Sequence, residues 1–138
     1  MISSGHRSVP HTADLRIEAW APTREECIAQ AVFGTVESFL DTSTAARHRT
    51  RRGRLIAASD ADLLVAVLEE VIYLLDTEGY VPVDVHMEPV EGGVDVVFAM
   101  AEVNRLTQIG AVPKAVSLHE LSLVGDKDRW RCSVTLDV

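Results

Sequence analysis

The stretch "DLLVAVLEEVIYLLDTEG" is the strongest constraint in the chain. It is apolar nearly all the way round a helix, from a cap at Ser59 and Asp62 to a stop at Gly79. A helix of that kind must be wrapped by other elements on most sides. Glu69 and Glu70 interrupt it, which excludes a membrane span and makes it the centre of a soluble core.

The wrapping elements are legible from their periods. In "DLRIEAW" Leu15, Ile17 and Ala19 share one parity while Asp14, Arg16 and Glu18 share the other, the two-residue repeat of a half-buried strand closed by Pro22. "TREECIAQAVFGTVESFLD" follows, with Thr23 and Glu26 at capping-box spacing and a stripe of Ile28, Ala31, Val32, Val36, Phe39 and Leu40. A basic stretch, "RHRTRRGRLIAAS", predicts an exposed edge strand around residues 50–57. After the central helix come "YVPVDVHMEPV", turned by Glu91-Gly92-Gly93 into "VDVVFAMAEV", and "KAVSLHELSLV", turned near Gly125-Asp126 into "RWRCSVTLDV". "NRLTQIGAVP" between these pairs reads as a loop. The order strand, helix, strand, helix, four strands predicts an α+β fold: a two-layer sandwich whose mostly antiparallel sheet carries two helices on one face. With 138 residues, one domain covers the chain. Whether its first eight residues are ordered is open at this level.

Charge narrows the function. There are 21 acidic against 13 basic residues, a net charge of −8 and a pI near 5.0, which argues against a simple electrostatic grip on nucleic acid and toward a protein or a cation as partner. The basic run from Arg47 to Arg54 has no aromatic residues interleaved to stack bases, so it reads as a solvated strand. Cys27 and Cys132 are isolated, form no CxxC, and read as small apolar residues in a reducing compartment. "MISSGHRS" lacks the apolar segment of a secretory signal, and the expected location is cytoplasmic with no membrane contact.

Parity then singles out the two ends. Asp137 falls on the polar parity of the last strand with Arg131, Ser133 and Thr135, as Asp14 does in the first. If those strands are antiparallel neighbours, the two carboxylates meet, and like charges directly opposed call for a cation between them. Asp14, Asp137 and the carboxylate of Val138 are hard oxygen donors, suited to Mg²⁺, Ca²⁺ or Mn²⁺ rather than zinc. The plainer reading is an Asp that forms a turn before a strand and a frayed, solvated chain end. His11, beside Asp14, reads as a backbone cap or as a ligand or base. His119, on the parity of Ser117 and Leu121, reads as a packed core histidine; Glu70 and Asp76 could feed the metal site, but adjacent Glu69 and Glu70 diverge on a helix and favour a solvated edge.

Four segments in this order, "HTADLRIEAWAPTREECIAQA", "LLVAVLEEVIYLLDTEG", "KAVSLHELSL" and the terminal "LDV", resemble the archease family over nearly the whole chain. The resemblance implies a non-catalytic accessory protein of the RtcB-type RNA ligase, acting in tRNA splicing and RNA repair. That ligase joins a 3'-phosphate to a 5'-hydroxyl with GTP and Mn²⁺ through a guanylylated histidine, and the accessory protein promotes guanylylation and turnover. It further implies a divalent-cation site, for Ca²⁺ or Mg²⁺/Mn²⁺, at Asp14, Asp137 and Val138, and a ligase-activating role for Lys114. His11, Glu102 and His119 are candidates to stand behind those ligands, Glu102 by its match to a family glutamate. RNA association would be indirect, through the ligase. The chain departs from the family pattern at Ala66 and Val67, where an Asp-Trp pair is expected, and in the loop after Glu102, usually acidic with a histidine; partner contacts there are in question. Two other classes compete. One is a chaperone or specificity modulator of an RNA-modifying methyltransferase, working through apolar surface and as a homo-oligomer. The other is a stand-alone metal-dependent hydrolase, for which the sequence offers no paired nucleophile and base and no Gly-rich phosphate loop.

Overall fold

The computed structural model describes residues 3–10 and 14–138. The expectations placed on His11 therefore lie outside the described residues. Nine strands and two α-helices follow one another as β1 (Gly5–Pro10), β2 (Asp14–Ala21), α1 (Arg24–Glu37), β3 (Leu40–Asp41), β4 (Arg49–Ile56), α2 (Asp60–Glu78), β5 (Tyr80–Val90), β6 (Gly93–Glu102), β7 (Thr107–Gln108), β8 (Ala115–Gly125) and β9 (Trp130–Asp137).

The helices begin and end where their capping chemistry directs. Thr23 Oγ1 accepts the Glu26 N–H at 3.1 Å and Ser59 Oγ accepts the Asp62 N–H at 3.1 Å, each satisfying an otherwise orphaned first-turn donor. Acidic residues in both first turns, Glu25 and Glu26 in α1, Asp60 and Asp62 in α2, complement the positive end of the helix dipole. Gly79 stops α2 in the left-handed region (φ 71°), with its N–H on the Leu75 carbonyl at 3.1 Å. Gly92, at φ 77°, makes the tight turn from β5 into β6.

All pairings are antiparallel. The expected single sheet is divided: four strands in the order β1-β2-β9-β8, three in the order β4-β6-β5, and a two-stranded clip of β3 with β7. The α+β class with two helices holds. β4 is an edge, as its charge pattern implies. The segment read as a loop after Glu102 is more ordered than expected: a 3₁₀ turn spans Val103–Arg105, and Thr107 and Gln108 pair with Asp41 and Leu40. Strand β1 was not anticipated. It pairs with β2 from Gly5↔Trp20 to Pro10↔Leu15, and His6 Nδ1 lies 2.7 Å from Gln30 Oε1 of α1.

Each large sheet turns one face to the helices. Ile17, Ala19 and Ala21 of β2, Cys132, Val134 and Leu136 of β9, and Val94, Val96, Phe98 and Met100 of β6 join Leu63, Leu64, Val67, Leu68, Val71 and Leu74 of α2 in one buried cluster. Helix α1 touches β1, β2, β5 and β9, and α2 touches β4, β5 and β8, so the two helices tie both sheets into one core. Burying a side chain of this size stabilises by about 1.5–3 kcal/mol. The same burial fixes register: slipping β2 against β9 by one residue would turn Ile17, Val134 and Leu136 toward water.

Strand β8 corrects one expectation. Ser117 faces Thr135 and Ser122 faces Ser133, so β8 spends five residues where β9 spends two, and Leu118–Leu121 loop out of the ladder. Glu120 within it takes φ 57°. Strand parity cannot be counted through that segment, and the His119 side chain is 82% exposed rather than packed in the core.

Candidate functional site

The register locked by the core brings Asp14 of β2 directly opposite Asp137 of β9, and Asp137 directly opposite Ala115 of β8. Directly opposed residues on antiparallel strands point to the same face with Cβ atoms roughly 4.5–5.5 Å apart. The two carboxylates therefore share one end of the four-stranded sheet, on the face away from the helices. Asp14 is half-buried, Asp137 exposed and Val138 half-buried. Lys114 is tied to the same end, its N–H donating to the Asp137 carbonyl at 2.8 Å. By alternation it falls on the parity of Val116, the helix side, and it lines a groove against α2. The acidic pair and the lysine thus share an end of the sheet without sharing a face.

Arg16, which sequence reasoning did not single out, is the next residue on the acidic face and stands opposite Thr135. Its Nη1 lies 3.8 Å from Glu120 Oε2 across the looped-out segment, and its Nε is buried with no hydrogen-bond partner among the described residues. The signal was present in the sequence, since Arg16 has the parity of Asp14.

Other candidates are elsewhere. Glu102 stands opposite Tyr80 in the three-stranded sheet and accepts from Arg105 Nε at 3.0 Å, so no strand pairing carries it to the acidic pair. His119 lies 3.6 Å from Glu120, out in solvent. Glu70 is within 3.9 Å of Arg51, an ion pair rather than a free helix edge. The cysteines are buried and unbridged, Cys27 Sγ donating to the Ala19 carbonyl at 3.7 Å. Neighbouring Cys132 and burial hold the Cys27 thiol well above its ordinary range, which suits neither a nucleophile nor a metal ligand.

Among the described residues no group of three or more His, Cys, Asp or Glu side chains gathers into a metal cage. What the sheet offers is a pair of carboxylates, with the chain end one residue beyond. Such a donor set fits a hard cation that keeps several waters, not zinc. No helix among the described residues is long and apolar enough to cross a membrane.

Comparison with known proteins bears on the family and the fold. Residues 6–138 match the model of the Archease protein family (MTH1598/TM1083). A protein of Mycobacterium tuberculosis named "Probable protein archease" is 67% identical over 136 residues, covering 99% of this chain and 76% of that protein. "Protein archease" of Archaeoglobus fulgidus is 28% identical over 138 residues, covering 96% of this chain and 98% of that one. The fold is shared with the solution structure of Methanobacterium thermoautotrophicum protein 1598 (TM-score 0.78, 22% identity, 97% of this chain and 99% of that chain). It is shared also with a crystal structure titled an archease, possible chaperone, from Thermotoga maritima (TM-score 0.68, 17% identity, 94% of each chain). The match spans the acidic pair, both helices and every strand but the first residue of β1, and the chain belongs to the archease family.

Proposed function

We propose that this protein is a non-catalytic activator of an RtcB-type RNA ligase, and that Asp14 and Asp137, with the carboxylate of Val138, hold a divalent cation for that role. The observation that carries the reading is the direct opposition of two aspartates at the end of a rigid sheet, a pairing that stabilises nothing by itself. Asp14 and Asp137 accept the cation. The core-locked register of β2 and β9 keeps them at one separation, so little reorganisation accompanies binding. A divalent cation, when bound, supplies concentrated positive charge for phosphate oxygens of the ligase's nucleotide. Lys114, fixed through its backbone to Asp137, adds a second positive group from the other side of the sheet end.

The test is single-turnover guanylylation of the cognate ligase with GTP and Mn²⁺, titrated with wild-type protein, Asp14→Ala and Asp137→Ala. Each variant is expected to leave the ligase at its unstimulated rate, and full stimulation by both would end the cation reading. Protein without ligase is expected to turn over no RNA ends with Mg²⁺ or Mn²⁺, which separates this role from a hydrolase. A chaperone role toward a methyltransferase draws support from the exposed apolar side chains Tyr73, Val112 and Leu118; it predicts that Asp14→Ala keeps full function.

A further inference from the structure

The helix side of the same sheet end holds a second feature. Glu69, Ile72, Tyr73 and Asp76 of α2 are spaced i, i+3, i+4, i+7 and so form one stripe, apolar in the middle and acidic at both ends. The seven steps of helix from Glu69 to Asp76 make that stripe about 10 Å long. It forms one wall of a groove of about 690 Å³ whose other wall is Val112, Pro113, Lys114, Val116 and Leu118. Among the described residues six large apolar side chains are exposed, and three of them, Tyr73 at 57%, Val112 at 39% and Leu118 at 69%, converge here. Leu118 reaches the rim because β8 loops out after Ser117, so the ladder itself does not require it there. Apolar surface gathered in this way marks an interaction site.

We propose that this groove docks a two-turn amphipathic helix of a partner protein, with apolar residues at its centre and Arg or Lys at both ends. Charge decides the ends. On the neighbouring face of α2, Glu70 and Glu78 are taken up by Arg51 and Arg49. Glu69 and Asp76 make no ion pair or hydrogen bond through their side chains among the described residues, so their charge is unspent. Lys114 is the one cation in the lining, and the groove stays net acidic. A basic-ended helix neutralises both carboxylates while its central side chains cover Ile72, Tyr73 and Leu118, the helix-in-groove mode of recognition. Tyr73 is the anchor, offering a wide apolar ring at low entropic cost. The proposal stands whether or not the partner is the ligase.

The probe is a fluorescein-labelled, helix-stapled peptide of about three turns, with leucines at i and i+4 and arginines at both ends, followed by anisotropy against the full chain. Saturable binding is expected, with amide shifts confined to residues 69–76 and 112–118. Tyr73→Glu, Leu118→Glu and the double variant Glu69→Lys/Asp76→Lys should each weaken it at least about tenfold, as should glutamates in place of the peptide's arginines. Tyr73→Ser, which adds no charge, should weaken it in a fold whose melting is unchanged. Equal binding of the acidic peptide, shifts elsewhere, or no saturation by millimolar peptide overturns the proposal. So does a dimer in light scattering that Tyr73→Glu dissociates, since the occupant would then be a second copy of this chain.

Discussion

Two of the charged pairs that face each other across strands in this protein obey opposite rules. Arg54 of β4 stands opposite Asp95 of β6 and closes a two-pronged contact, Nε to Oδ1 at 2.7 Å and an Nη to Oδ2 at 3.1 Å. Asp14 of β2 stands opposite Asp137 of β9, one carboxylate facing another. The first pair explains itself, because opposite charges on neighbouring strands attract and help set register. The second opposes its own strand pairing and persists because the apolar residues behind it hold the register. The same contrast runs through the basic strand: Arg47 meets Asp84, Arg49 and Arg51 meet Glu78, and Arg49 also lies 4.0 Å over the Tyr80 ring. Most of its charge is met internally, by these contacts and by Asp95 on Arg54. A cross-strand contact between opposite charges reads as structure, whereas two carboxylates held directly opposite each other ask what keeps them there.

The largest effect that probes this contrast removes the floor beneath both pairs. Phe98 is fully buried in β6 among residues of both helices and both sheets, and Phe98→Ala is expected to cost about 3–5 kcal/mol. Denaturant unfolding should show one transition moved to lower denaturant; two separate transitions would mean that the pairs rest on independent cores. A smaller effect separates the pairs. A divalent cation at about 100 times its dissociation constant should add about 2.7 kcal/mol to wild type, a rise of roughly 10 °C in melting temperature. Asp137→Asn should abolish that rise and, in cation-free buffer, melt no lower than wild type, because it removes a repulsion. A cation-induced rise of equal size in Asp137→Asn would place the ion elsewhere.

Much of this was legible in the sequence, for physical reasons that differ by element. The α2 boundaries followed from Ser59 and Gly79, local capping chemistry that no distant contact overrides. The opposition of Asp14 and Asp137 followed from two clean alternations and one assumption, that β2 and β9 are antiparallel neighbours. β1 was not legible, because "GHRSVP" has no apolar alternation and is held by backbone pairing and by His6 against Gln30. The division of the sheet was hidden, since which strands pair across a long sequence separation leaves no mark on either strand. His119 was misread because counting by twos ran through four residues that leave the ladder. Proximity of Lys114 to the pair came only through the family resemblance, and the groove needs α2 laid against β8, which no periodicity states.

The smallest effect belongs to the pair that explains itself. Hydrogen bonding to Arg54 holds the Asp95 carboxyl below its ordinary value, and both side chains are solvated. A carboxyl lowered by folding contributes stability above its unfolded pKa, and that contribution fades as pH falls through the folded value. Solvent screening keeps it small. Arg54→Ala, Asp95→Ala and the double variant should therefore all melt within about 2 °C of wild type at pH 7, with most of the difference gone below about pH 3. Under the proposed function, none should alter stimulation of the ligase. Thermal melting of the four proteins across pH 2.5 to 7 checks this, and a larger loss at pH 7 that persists at pH 2.5 would show that these side chains act by packing rather than by charge.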